Sequence, residues 1–439
     1  MKTFRSLREQ YPEFVYKAYH MDRMGDMYKI TYDFEIPGLA EFHPTWEFPV
    51  FREVNEGILS QLIFHLGMAE SISYYKCVCP EQIRVLCGGL NQEQIAWWKK
   101  LYHYGLGEFM YKNNINVSMN DLMDIVCEQE YPGVIHDEAS YEGCLVPVGG
   151  GKDSIVSLCL LKDKQWPVTT YHINYGSAIK EVIDAYDYKK GDYYAKRTLC
   201  ANMLKLNEEG YLNGHTPFSA IVAFSAVVAA YLSGNQYITL SNETSANEAT
   251  VRGTNVNHQY SKSIEFENDF IWYVQQITDS DIHYFSLLRP WSEIQIARQF
   301  AKYTEFHSIF RSCNVGSKEG VWCANCSKCL FVYIILLPFL DEGELEEIFG
   351  ENLLNKESFD KDFRELTGIL ENKPFECVGT RSEVLASLLY YIEMGGKSLL
   401  TERYEQEILY IASPLPPMLK NYVEANNLPD AFAELLKGR

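Results

Sequence analysis

The stretch Cys144-Leu145-Val146-Pro147-Val148-Gly149-Gly150-Gly151-Lys152-Asp153-Ser154-Ile155-Val156-Ser157-Leu158-Cys159 decides the fold. Its first five residues are a short apolar run that reads as a buried strand, and Ile155, Leu158 and Cys159 then recur at helical spacing. Between them, three glycines let the backbone turn tightly and approach an anion, because no Cβ stands in the way. The free N–H groups of the helix that follows, at the positive end of its dipole, favour phosphate. Lys152 adds a mobile positive charge, Asp153 a carboxylate suited to Mg2+, and Ser154 both a hydroxyl and a helix cap. The stretch therefore predicts an ATP-binding loop in which Gly149, Gly150 and Gly151 shape a phosphate cradle. Lys152 and Ser154 are expected to donate to it and Asp153 to hold the metal.

Two commoner phosphate loops do not fit. The Walker loop needs a glycine five residues before Gly151, where Val146 stands, and a Ser or Thr after Lys152, where Asp153 stands. The dinucleotide fingerprint needs a third glycine that residues 152–155 lack.

Outward from the loop, residues 168–173 read as the next strand, 220–232 as a small-residue helix and 236–240 as a further strand. Short apolar runs alternating with helical segments from about residue 141 indicate a parallel α/β sheet, whose ligands bind beyond the carboxyl ends of its strands. Ser241, Asn242 and Glu243, which follow 236–240, are expected there, facing the nucleotide or the acceptor, although a polar turn accounts for them equally well. Ahead of the small-residue helix, Thr216 suits a cap and Pro217 a first turn. His215 is a candidate proton carrier, set against the commoner structural role of a lone histidine. Residues 1–140 are rich in aromatics, with Ile95, Trp98, Leu101 and Tyr102 on one face of a helix over 91–104; a packing face explains them best. After Cys329 the pattern is mainly helical, as in 345–349 and 384–393. Three parts follow: 1–140 on the substrate side, 141–330 as the nucleotide-binding core, and 331–439 as a helical region.

Cys323, Cys326 and Cys329, preceded by Cys313, have the spacing of a four-thiolate structural zinc site. Zinc ranks ahead of unliganded thiols, with an iron–sulfur cluster as a further alternative. Among 439 residues there are 12 cysteines, with 47% hydrophobic and 22% charged residues, which is the balance of a globular enzyme. The net charge of −20 disfavours nucleic-acid partners, whose affinity rests on Lys and Arg. The apolar runs are too short to cross a bilayer and the first residues lack the apolar stretch of a secretory signal, so a cytoplasmic protein without membrane contact is expected.

The loop resembles the Ser-Gly-Gly-x-Asp-Ser loop of the PP-loop ATP pyrophosphatases, with Gly149 in place of the first serine. The cysteine spacing is similar to that of the cyano-deazaguanine synthases, which are PP-loop enzymes. More of the chain resembles the MurL family of UDP-N-acetylmuramoyl-L-alanyl-L-glutamate epimerases. The residues that carry this resemblance are 147–154, 240–243 with 245–247, and 322–329, together with 66–70, 73–76, 105–109 and 373–379.

The MurL resemblance implies adenylation of the terminal L-glutamate of a UDP-muramoyl dipeptide, inversion to D-glutamate, and release of AMP and pyrophosphate during peptidoglycan synthesis. Under it Lys152, Asp153, Asn242 and Glu243 are the expected catalytic or metal-shell residues and Ser241 lies at the nucleotide. His215 and Cys377 are candidate bases, and Lys373 and Arg252 candidate contacts for phosphate or carboxylate, set against the commoner role of a solvated surface cation. The rival readings are another adenylating PP-loop ligase and an adenine-nucleotide sensor without catalysis.

Overall fold

The computed structural model describes residues 2–251, 253–254, 256–313, 315–316 and 319–437; Arg252 lies outside them. The described strands are, in chain order, β1 (Glu13–Arg23), β2 (Met27–Ile36), β3 (Ala40–Phe42), β4 (Thr45–Pro49), β5 (Gln82–Val85), β6 (Asp124–Cys127), β7 (Cys144–Pro147), β8 (Val168–Ile173), β9 (Gly191–Thr198), β10 (Tyr237–Leu240) and β11 (His283–Ser286). The chain forms two compact units, neither of them a contiguous segment. One gathers Met1–Leu145, Asp192–Ile238 and Glu265–Tyr284, the other Val146–Gly191, Thr239–Ile264 and Phe285–Arg439.

In the first unit β1 and β2 form an antiparallel hairpin, turning at Gly25, whose φ of +64° suits a residue without Cβ. β3 and β4 extend it antiparallel on β2, β9 pairs antiparallel with β4, and β5 and β6 add parallel strands beyond β1. Tyr28, Ile30, Tyr32 and Phe34 alternate along β2 and all are buried. The helix Glu56–Tyr75 is apolar nearly all round, as a helix enclosed by its unit must be, and Asn55 caps it by accepting from Gly57 N–H at 2.8 Å. The helix expected over 91–104 spans Gln92–Gly105, with Asn91 and Gln94 exchanging hydrogen bonds across its first turn. Trp98 stacks on Phe224, their centroids 5.2 Å apart, so the aromatics do form a packing face.

The small-residue helix runs Phe218–Ser233, but Thr216 is not its cap. Its hydroxyl accepts from Lys76 Nζ at 2.8 Å, and the same ammonium donates to the Gly214 carbonyl at 2.5 Å. A buried lysine in need of acceptors outcompetes a helix end that is free to fray.

Strands β7, β10 and β11 each begin in the first unit and end in the second; the strand order is β11-β10-β7-β8, with Tyr237 and Ile238 of β10 parallel to Cys144 and Leu145 of β7. The Val148 amide donates to the Tyr171 carbonyl and the Leu287 amide to the Leu240 carbonyl, both at 2.8 Å, which extends the ladder at the carboxyl ends. β7 is the earliest of these strands in the chain and lies between β8 and β10, so the connections diverge there. A crevice opens beyond such a switch point because the loops leave in opposite directions. The helical C-terminal region follows: Ser327–Leu336 is buried along its length and packs on Arg381–Glu393, which Thr380 and Glu383 cap reciprocally. Among the described residues no helix is long and apolar enough to cross a membrane.

Candidate active site

The loop begins where β7 ends and opens the helix Lys152–Asp163, with Gly151 at its N-cap. Gly150 has φ +80°, and a Cβ there would come within 3.0 Å of the Ala178 backbone, so both conformation and space require glycine. A Cβ on Gly151 would meet Ser312 Oγ at 2.6 Å, whereas one on Gly149 would meet nothing within 4 Å. Position 149 therefore has room for a side-chain Cβ, which positions 150 and 151 lack. The segment 310–313 supports the loop from outside, the Arg311 amide donating to the Gly150 carbonyl at 2.8 Å.

Lys152 is fully buried, and its ammonium donates to the carboxylates of Asp153 and Glu293. Burial works against its charge, but the two carboxylates hold it protonated. Asp153, Glu243 and Glu293 each offer an oxygen within 4.8 Å of the others. Burial pushes Glu293 up to about 7; Lys152 pulls the other way, and the carboxylates of Asp153 and Glu243 add to the rise. For Asp153 burial is outweighed by Lys152, Lys328 and Lys262, which hold its carboxyl below the ordinary range. Three carboxylates against this cation set are hard oxygen donors of the kind that bind Mg2+, so the donor chemistry fits that ion.

Beside this cluster lies the thiol of Cys377, to which Lys262 Nζ donates at 3.4 Å. Burial raises the thiol, but Lys262, then His258 and Lys328, bring it down to about 6. Cys377 in turn is the main cause that raises Lys262 above its ordinary value. Arg289 is fully buried and ties the pieces together, donating to the carbonyls of Glu243 and Lys262, both at 2.7 Å. Glu383 sets the Glu293 helix: it accepts from the Ile294 amide at 3.1 Å and from Ser245 Oγ at 2.9 Å.

The expected residues are sorted accordingly. Lys152, Asp153 and Glu243 come together at the loop, and Cys377 joins them through Lys262. Ser154 Oγ donates to the Gly151 carbonyl at 3.0 Å, inside the turn, so it is not the helix cap. Ser241 shares a 2.8 Å hydrogen bond with Ser157, and Asn242 donates to Ser286 Oγ at 3.1 Å. Lys373 is buried, with its ammonium on Glu248 and the Gly379 carbonyl at 2.6 and 2.7 Å. His215 belongs to the first unit, its Nδ1 3.6 Å from the Glu108 carboxylate. The four sulfurs of Cys313, Cys323, Cys326 and Cys329 lie within 4.8 Å of one another.

Sequence reasoning missed Glu293, Lys262, Arg289 and Glu383. Glu293 and Glu383 sit in capping-box turns that look like ordinary helix starts, and Lys262 and Arg289 have no motif around them.

Fold and site define the class: an α/β protein with a glycine loop at a sheet switch point and a buried cluster of carboxylates and ammonium groups beyond it. Within that class the chain belongs to the MurL family, matching the MurL N-terminal domain over residues 5–287 and the MurL C-terminal domain over residues 305–398. It is 33% identical over 337 residues to the UDP-N-acetyl-alpha-D-muramoyl-L-alanyl-L-glutamate epimerase of Xanthomonas oryzae pv. oryzae, covering 75% of this chain and 74% of the relative. Proteins of the same name from Salinispora tropica, over 346 residues, and from a Micromonospora species, over 336, are also 33% identical. They cover 77% and 75% of this chain, and 74% of each relative. The family resemblance drawn from the motifs therefore holds.

Proposed function

We propose that this chain is an ATP-dependent, AMP-forming epimerase that converts the terminal L-glutamate of UDP-N-acetylmuramoyl-L-alanyl-L-glutamate into D-glutamate, in peptidoglycan synthesis. The observation that carries the reading is the meeting at one glycine loop of Lys152, three carboxylates and a thiol of lowered pKa. It occurs in a chain whose relatives bear that epimerase's name.

The chemistry explains why such a set is needed. A glutamate Cα–H beside an ionised carboxylate is a very weak acid, since its carbanion would place negative charge beside negative charge. Attack of the carboxylate oxygen on the α-phosphorus of ATP expels pyrophosphate and leaves a neutral, electron-withdrawing acyl phosphate. The loop amides and Lys152 hold the phosphates, with stabilisation by fixed donors as the main contribution. Asp153, Glu243 and Glu293 would hold Mg2+, which supplies charge neutralisation to the phosphates. The Cys377 thiolate removes the α-proton, Lys262 keeping it charged. Reprotonation from the other face and hydrolysis of the acyl phosphate release product and AMP.

The test supplies ATP, Mg2+ and the L-glutamate muramoyl dipeptide, then hydrolyses the product for chiral analysis of its glutamate. D-glutamate with matching AMP and pyrophosphate is the expected result. D-glutamate formed without ATP, or with ADP as the nucleotide product, would remove adenylation from the reading.

A further inference from the structure

The sulfurs of Cys326 and Cys329 are 3.5 Å apart, those of Cys323 and Cys329 3.7 Å, and those of Cys313 and Cys326 3.9 Å. A zinc ion with four thiolates at about 2.3 Å requires sulfurs about 3.8 Å apart on a tetrahedron. Disulfides would instead pair them at about 2.05 Å, and four free thiols have no reason to converge.

The surroundings suit a charged thiolate set. The Gly316 amide points at Cys313 Sγ from 3.3 Å, and Cys326 is the N-cap of Ser327–Leu336 with Cys329 in its first turn, where the helix dipole favours negative charge. The turn between Cys323 and Cys326 places Ala324 at φ +51°, a conformation a non-glycine residue adopts only when its surroundings impose it. Lys356 holds that turn from outside, donating to the Ala324 carbonyl at 2.7 Å and to Asn325 Oδ1 at 3.0 Å.

The position of this cluster gives it a use. Cys313 ends the segment whose Arg311 amide grips the Gly150 carbonyl and whose Ser312 closes on Gly151. Cys326 and Cys329 flank Lys328, whose ammonium donates to the Cys377 carbonyl and whose charge bears on Asp153.

We propose that Cys313, Cys323, Cys326 and Cys329 bind one zinc ion that fastens the segment supporting the glycine loop to the helix carrying Lys328. The ion is closed to substrate and positions the loop without taking part in chemistry. Zinc binding stands independently of the epimerase reading; only the catalytic value of the positioned loop rests on it.

The full chain, purified without chelator, is expected to hold about one zinc per polypeptide, and cobalt substitution should give the thiolate charge-transfer and tetrahedral ligand-field bands of a four-sulfur site. Cys313→Ser should lower metal content, while Cys127→Ser should not. A mercurial that titrates the thiols and frees the ion should speed amide exchange over 148–153 by about tenfold or more, with exchange in β1 and β2 unchanged. A stable wild-type chain without zinc, a brown iron–sulfur chromophore, or octahedral cobalt bands would overturn the site. Zinc present but loop exchange unaltered by its release would overturn the positioning role. Neither outcome depends on turnover, so failure here and failure of the epimerase assay are separable.

Discussion

Cys377 has the most at stake of any single side chain in the proposed reaction. The groups that face it are Lys262, His258 and Lys328, all able to carry positive charge, and together they bring its thiol to about 6 against the opposing effect of burial. The thiolate is the reactive base, so the base is present above about 6 and is lost by protonation below it. We therefore expect kcat/KM for epimerisation to rise with pH through about 6 and level off above. Lys262→Met should displace that limb upward, toward the ordinary thiol range near 8.5. Cys377→Ser should cut epimerisation by about 100-fold or more yet leave AMP release, which precedes proton removal, largely in place. A limb that survives unchanged in Cys377→Ser would assign the base elsewhere. Cys377 was legible only as a candidate, because a lone cysteine carries no sign of its pKa. The lowering comes from Lys262, more than a hundred residues away in sequence, and no local pattern joins the two.

Three elements of the first unit are bolted together by one buried ion pair. Glu70, on the helix Glu56–Tyr75, accepts from Arg197 of β9 through two nitrogens at 2.8 and 2.9 Å, and from the indole of Trp46 on β4 at 3.1 Å. Removing only the cation strands a carboxylate that has no exposure to water, so Arg197→Met should destabilise the chain by about 3–5 kcal/mol. Glu70→Gln added to it keeps an acceptor for Trp46 and should recover most of that loss. Denaturant midpoints of the two singles and the double variant measure the coupling, and additive losses would show that the pair is not the bolt. Elements were read from sequence with uneven success, for physical reasons. β8 occupies the very residues 168–173 that its apolar run marks, because a strand buried on both faces needs no alternation. The loop helix begins at Lys152, three residues before the apolar spacing starts at Ile155, since its first turn is specified by glycine backbone geometry. β1 to β4 are not among the strands expected from the sequence, although the alternation of Tyr28, Ile30, Tyr32 and Phe34 marks β2 as a half-buried strand. The cap expected at Thr216 failed because the demand came from Lys76, distant in the chain.

At the scale of the molecule, the decisive property is that the chain passes between its two compact units several times. The second unit takes its loop strand and β8 from 146–191, then Glu243 and Lys262 from 239–264, and its cysteines, Glu293, Cys377 and covering helices from 285–439. No cut near the junction of the two family-matched regions, 5–287 and 305–398, can leave that unit whole. A fragment ending at residue 287 keeps β7, β8 and β10 but loses Glu293–Phe300, which packs on the loop helix, and Ser327–Leu336, which is buried along its length. Sheet and helix faces that the full chain covers would then meet water, and each buried side chain of that size is worth about 1.5–3 kcal/mol. We expect the fragment to bind hydrophobic dyes and to melt without a cooperative transition in the part carrying the glycine loop, followed by amide exchange over 148–163. A fragment with native protection there would mean that the loop strand and its helix hold without their C-terminal cover, and that the site is assembled late on a core already folded.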